Sequence, residues 1–129
     1  MLPSFRELLV WKKVDKLAHK VFDISETFPA EYVFDLTNSL RRSALSIPQN
    51  IAEGWACFRA EESLEYLNTS RRSLIQTQYL LLFACKRNLI KEEEFNEFHE
   101  RYEEANKMLN GLIKSVKNKP YMLRSKPLR

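Results

Sequence analysis

The sequence predicts an all-α fold, an antiparallel up-down-up-down four-helix bundle with a short basic C-terminal tail. Three observations carry this. Only two glycines interrupt the 129 residues, and four of the five prolines stand near segment ends or in the tail, which favours long helices over a turn-rich β fold. Apolar residues recur at steps of three and four through four successive stretches, the spacing of one helical face. The breaks between stretches are short, whereas a helix of about 25 residues is roughly 37 Å long, so neighbouring helices must run antiparallel.

The first stretch, about 5–27, places Val10, Val14, Leu17, Val21, Ile24 and Phe28 on one face. Pro29 disfavours helix in the residue before it, so the helix finishes near Thr27 and the chain reverses through Ala30 and Glu31. The second, about 33–56, carries Leu36, Leu40, Ala44, Ile47, Ile51 and Trp55. Pro48 lies inside it and costs about 3 kcal/mol, but the apolar face stays in phase on both sides, so one kinked helix is expected rather than two. The third, about 60–87, has Leu64, Leu67, Leu74, Leu81 and Cys85 on a stripe that Arg71 and Gln78 interrupt, and Asn88 suits a left-handed terminating position. The fourth, about 91–117, repeats Phe95, Phe98, Tyr102, Ala105, Leu109, Leu112 and Val116 without a break. These make a bundle over 1–117, and 118–129 a tail without helical period.

With 44% hydrophobic and 29% charged residues the chain is globular and builds one core. Its net charge of +4 is more than accounted for by Lys117, Lys119, Arg124, Lys126 and Arg129 at the acid-free C-terminus. The body is therefore close to neutral, and any charged surface on it must come from segregation. The longest apolar run, Tyr79 to Cys85, is far short of the roughly 20 residues of a membrane span. Two cysteines without a pairing pattern and an N-terminus unlike a signal peptide fit the cytoplasm.

No catalytic, cofactor or metal residues are assigned. Paired Glu-x-x-His motifs would aim two metal ligands into a bundle, but Asn96 stands three residues before His99 and Lys16 three before His19. Cys57 and Cys85 fall on or near apolar faces, where cysteine is a small inert hydrophobe. There is no phosphate-binding loop and no nucleophile elbow, so no enzymatic activity is expected. The acids Glu92, Glu93, Glu94, Glu97, Glu100, Glu103 and Glu104 lie off the apolar stripe as a solvated face, and the first three complement the helix dipole.

The basic residues come in adjacent pairs, Arg41-Arg42, Arg71-Arg72 and Lys86-Arg87, joined by Lys119, Arg124 and Lys126 in the tail. Neighbours point about 100° apart, so one member of a pair can turn to another helix while the other meets solvent or phosphate. Ion pairing with the Glu-rich helix and nucleic-acid contact both remain open for each pair. In the segment Ser43 to Gly54, Ser46 and Asn50 are one turn apart and can face inward to satisfy the carbonyl that Pro48 frees. Self-association is the other reading of this segment.

The residues Phe5-Arg6, Leu8, Val10-Trp11-Lys12-Lys13, Phe28-Pro29, and above all Leu40-Arg41-Arg42-Ser43-Ala44 followed by Ser46-Ile47-Pro48, Asn50-Ile51-Ala52-Glu53-Gly54, resemble the bacterial four-helix bundle proteins encoded in intervening sequences of large-subunit ribosomal RNA genes. The likeness runs from about Phe5 to Val116. It marks Ser46, Pro48, Asn50, Glu53 and Gly54 as a structural or oligomer motif. It implies a homopentamer, no enzymatic activity, and a link to the accessory variability proteins of diversity-generating retroelements, which bind nucleic acid and a reverse transcriptase. Resemblance and charge pattern together lead to the expectation of a homopentameric, non-enzymatic nucleic-acid-binding protein, RNA favoured over DNA, through Arg41 and Arg42, which match the family's own basic pair, and, from charge alone, Arg71, Arg72, Lys86, Arg87, Lys119, Arg124 and Lys126. The alternative is an adaptor that binds a partner such as a reverse transcriptase.

Overall fold

In the computed structural model, which describes residues 4–118, the periodic stretches become helices α1 (Leu9–Ser25), α2 (Asn38–Ala56), α3 (Ala60–Lys86) and α4 (Glu92–Asn118). They pack as an antiparallel four-helix bundle in which each helix lies against its sequence neighbours and α1 against α4. The core is the inward stripe of each, with Val14 and Val21, Leu40 and Ile51, Leu74 and Leu81, and Tyr102 and Leu109 fully buried. On α4 the inward position near the C-terminus is Ile113 rather than Leu112, which is only half-buried. No helix among the described residues is long and apolar enough to cross a membrane.

The helix ends differ from expectation where local hydrogen bonds compete with the α pattern. Residues Phe5–Glu7 form a 3-10 turn capped by Ser4, whose Oγ accepts from Arg6 N, and Leu8 is extended, so α1 starts only at Leu9. After α1, a 3-10 turn at Ala30–Tyr32 runs into a π-wound turn at Val33–Thr37 that leads directly into α2. Pro48 lies inside α2, which is one helix as expected. Helix α3 ends as its sequence indicates: Asn88 has a φ of 64°, its N–H donates to Cys85 O, and Leu89 N–H donates to Ala84 O. These are the two bonds of a left-handed helix stop. At the start of α4, Glu94 reaches back one turn to accept the Lys91 N–H at 2.8 Å, half of a capping box.

Candidate nucleic-acid interface

Helices α2 and α3 carry the Arg41-Arg42 and Arg71-Arg72 pairs. They are the most closely packed helices of the bundle. Their shared seam is lined by small hydroxyl side chains as much as by apolar ones. Ser70 Oγ donates to Ile47 O at 2.9 Å, and Ser46 Oγ lies 2.8 Å from Ser73 Oγ. Thr77 Oγ1 is 2.8 Å from both Ser43 Oγ and Ser73 O and shares its one proton between them, while Ser43 Oγ donates to Leu40 O. Each hydroxyl thus finds a partner on its own or the facing helix, which allows burial without a desolvation penalty. Gly54 completes the seam: a Cβ there would lie 3.2 Å from Ser63 O and Tyr66 Cβ and 3.3 Å from Leu67 Cδ2.

This places most of the motif residues. Ser46 faces α3, Pro48 is buried, and at Gly54 a Cβ would crowd α3. Asn50 does not satisfy the carbonyl that Pro48 frees, which is that of Ala44, four residues before the proline. Its Nδ2 donates instead to Ser46 O at 2.8 Å and Ser46 Oγ at 2.9 Å, because an asparagine side chain reaches one turn back and no farther. Glu53 is outside the seam: its carboxylate is exposed and accepts from Gln49.

The arginine pairs divide as their 100° separation requires. Arg41 turns to the C-terminal end of α1, where its Nε donates to Ser25 Oγ at 2.7 Å and one terminal nitrogen donates to Phe22 O at 3.0 Å. Its guanidinium carbon sits 4.9 Å over the Phe22 ring. Arg41 is therefore a helix-terminus clamp, taken out of the free basic surface by the carbonyls and dipole of α1. Arg42 is exposed and bonds to no described residue. Arg71 is half-buried with a weak 3.5 Å bond to Asn68, and Arg72 is exposed and donates to Thr69. Lys86 and Arg87 lie at the end of the bundle, where Arg87 meets the Tyr32 hydroxyl at 3.4 Å. Lys119, Arg124 and Lys126 lie outside the described residues. Among the described residues the Glu-rich helix pairs with none of these arginines; its interhelical ion pair goes to Lys13, through Glu104 at 2.8 Å.

Two surface features carried no assignment from sequence. The outward face of α3 bears Ile75, Tyr79 and Phe83 at steps of four, and they are 50%, 58% and 40% exposed. The signal for it is the continuous apolar run from Tyr79 to Cys85, which covers every side of the helix. On α1, Lys12, Lys16 and Lys20 form an exposed stripe with the same spacing, legible as three lysines at steps of four.

The candidate chemistry groups stay scattered. His19 is 3.8 Å from Asp15 and His99 is 4.0 Å from Glu103, each within its own helix. Cys57 Sγ donates to Glu53 O, and Cys57 and Cys85 are both half-buried. No group of three or more metal-ligating side chains occurs among the described residues.

Fold and seam together define a class: small four-helix bundles whose second helix carries Ser-x-Pro-x-Asn-x-x-x-Gly as its packing edge against the third. The chain belongs to the 23S rRNA-intervening sequence protein family, whose signature matches residues 6–111. Among solved structures it is similar to a protein of unknown function from the S23 ribosomal protein family of Bacteroides thetaiotaomicron VPI-5482, with a TM-score of 0.76 and 23% identity over 82% of this chain and 96% of that one. That likeness concerns the fold. No functionally curated protein matches the sequence.

Proposed function

We propose that this protein is a non-enzymatic, cytoplasmic, homo-oligomeric nucleic-acid-binding protein, a pentamer that prefers RNA to DNA. The observation that carries the reading is the outer face of α3. From Tyr79 to Cys85 this helix is apolar all round, a pattern that belongs to helices buried on every side. A second copy laid on Ile75, Tyr79 and Phe83 would bury that face. It would also repeat the exposed Arg42 and Arg72 around the assembly, building a basic surface that one near-neutral subunit lacks.

Light scattering coupled to size exclusion, with and without a short structured RNA across a salt series, tests this. The expected result is a mass near five subunits, a shift with RNA at low salt only, and loss of the shift in R42E/R72E, because phosphate neutralisation weakens steeply with ionic strength. A monomer that ignores RNA overturns the reading. The adaptor reading, with a partner such as a reverse transcriptase, is favoured by a separate observation, an open groove between α1 and α4.

A further inference from the structure

Helices α1 and α4 are the least closely packed neighbours in the bundle. They part along an open groove of about 870 Å³ that runs from Leu9 and Met108 to Thr27 and Leu89, a length of about 25 Å along α1. Its apolar lining comes from Leu17 and Ile24 on one helix and Phe98 and Met108 on the other. The walls are charged, and the two ends carry opposite sign.

Lys12, Lys13, Lys16 and Lys20 line the α1 side, and Arg101 faces them from α4. Lys13 is bound across the groove to Glu104, and its ammonium holds that carboxyl below the usual range. Arg101 is paired within α4 to Glu97 at 3.5 Å. Lys12, Lys16 and Lys20 are exposed and reach no carboxylate among the described residues. At the other end Asp23 and Glu94, beside the Arg101-paired Glu97, make the lining acidic.

These charges select among occupants. A nucleic-acid strand would carry its phosphates past Asp23, Glu94 and Glu97. The chain's own C-terminal segment is acid-free and basic, so it would meet the lysine wall with like charge. A helix with one apolar stripe flanked by acids fits the lining. It fills a groove some four to five turns long, sets its carboxylates at the i, i+4 spacing of Lys12, Lys16 and Lys20, and suits the polarity of the ends when its N-terminus lies at Asp23, Glu94 and Glu97.

We propose that the α1–α4 groove is the docking site for an acidic amphipathic helix of a partner protein, running antiparallel to α1. The inference gives the adaptor reading a surface and is independent of the RNA reading.

Two end-blocked synthetic peptides of about 20 residues, long enough to form helix, provide the test. They share one Leu/Ile stripe and differ only in Glu or Lys flanks. Each is titrated into the full-length protein and followed by backbone amide NMR. The Glu-flanked peptide should shift Leu17, Ile24, Phe98 and Met108 saturably while the Lys-flanked peptide does not. K16E/K20E, which changes two exposed side chains, should weaken the first by roughly tenfold and admit the second. Equal binding of both peptides, or shifts confined to Ile75, Tyr79 and Phe83, overturns the proposal. So does displacement of the acidic peptide by a short RNA, which would assign the lysines to phosphate. RNA shifts by wild type and K16E/K20E, measured alongside, report on the RNA reading separately.

Discussion

The α2–α3 seam can be tested with the same substitution at two glycines. Gly111 lies exposed within α4, and a Cβ there would meet nothing within 4 Å. Gly111→Ala therefore gains helix propensity alone, about 0.8 kcal/mol, or roughly 3 °C in melting temperature for a domain of this size. Gly54 is also helical, but its Cβ would lie 3.2 Å from Ser63 O, a backbone atom, and 3.2 Å from Tyr66 Cβ, which cannot rotate away. Helix α3 would have to move by a few tenths of an ångström against a seam held by four serines and a threonine. Overpacking of this kind costs about 1 to 3 kcal/mol, against a propensity gain that is smaller here because Gly54 is in the last turn of α2. The net expectation for Gly54→Ala is a destabilisation of about 1 kcal/mol, so the two variants should differ by about 2 kcal/mol. Urea unfolding at one fixed protein concentration, which keeps any assembly contribution constant, measures the difference. If Gly54→Ala proves as stabilising as Gly111→Ala, the seam is not tight and the packing role of the motif fails.

Arg41→Ala should cost about 2 kcal/mol by removing two charge-assisted bonds and the stack on Phe22, whereas Arg42→Ala should stay within about 0.5 kcal/mol; equal effects by urea unfolding would refute the division of the pair. Thr77→Val should cost about 1 kcal/mol, and Ser43→Ala with Thr77→Val should cost less than the sum of the single changes, since removing both partners leaves no hydroxyl unmatched. Tyr102 is buried in the core, no described residue hydrogen-bonds its hydroxyl, and burial pushes its ionisation upward. Tyr102→Phe should therefore raise stability by about 1 kcal/mol at neutral pH. The folded form binds the Tyr102 proton more tightly than the unfolded form, so stability is full below about pH 10 and falls above it. Tyr102→Phe should blunt that alkaline loss in a pH series of thermal melts.

The four helices were legible because each buries one stripe at steps of three and four, and the stop at Asn88 because its residue type tolerates the left-handed conformation. The true start of α1 was not, since Leu8 is as apolar as its helical neighbours and only the Ser4-capped turn before it pulls the backbone out of helix. Nor was the second stripe on α3. Ser70, Ser73 and Thr77 count as polar in any periodicity, and their burial depends on partners supplied by α2. Among the basic residues, adjacency showed that Arg41 and Arg42 must diverge, but which of them faces α1 is fixed by the packing of two helices. The lysine stripe of α1 was written in the sequence and resembles any solvated face until the parting of α1 from α4 sets a groove beside it.

The two unassigned surfaces do not compete for the same side of the bundle. Helix α3 packs against α2 and α4 and takes no part in the α1–α4 groove, whose lining comes from α1, Thr27 just after it, α4, and Leu89 between α3 and α4. Assembly through Ile75, Tyr79 and Phe83 would thus leave every groove open, and each subunit of an oligomer could hold one acidic helix. A Tyr79→Glu/Phe83→Glu variant should then lose its assembly while keeping its affinity for the Glu-flanked peptide. Parallel loss of both would mean that the groove needs a neighbouring subunit to complete it, and would tie partner docking to the assembled state.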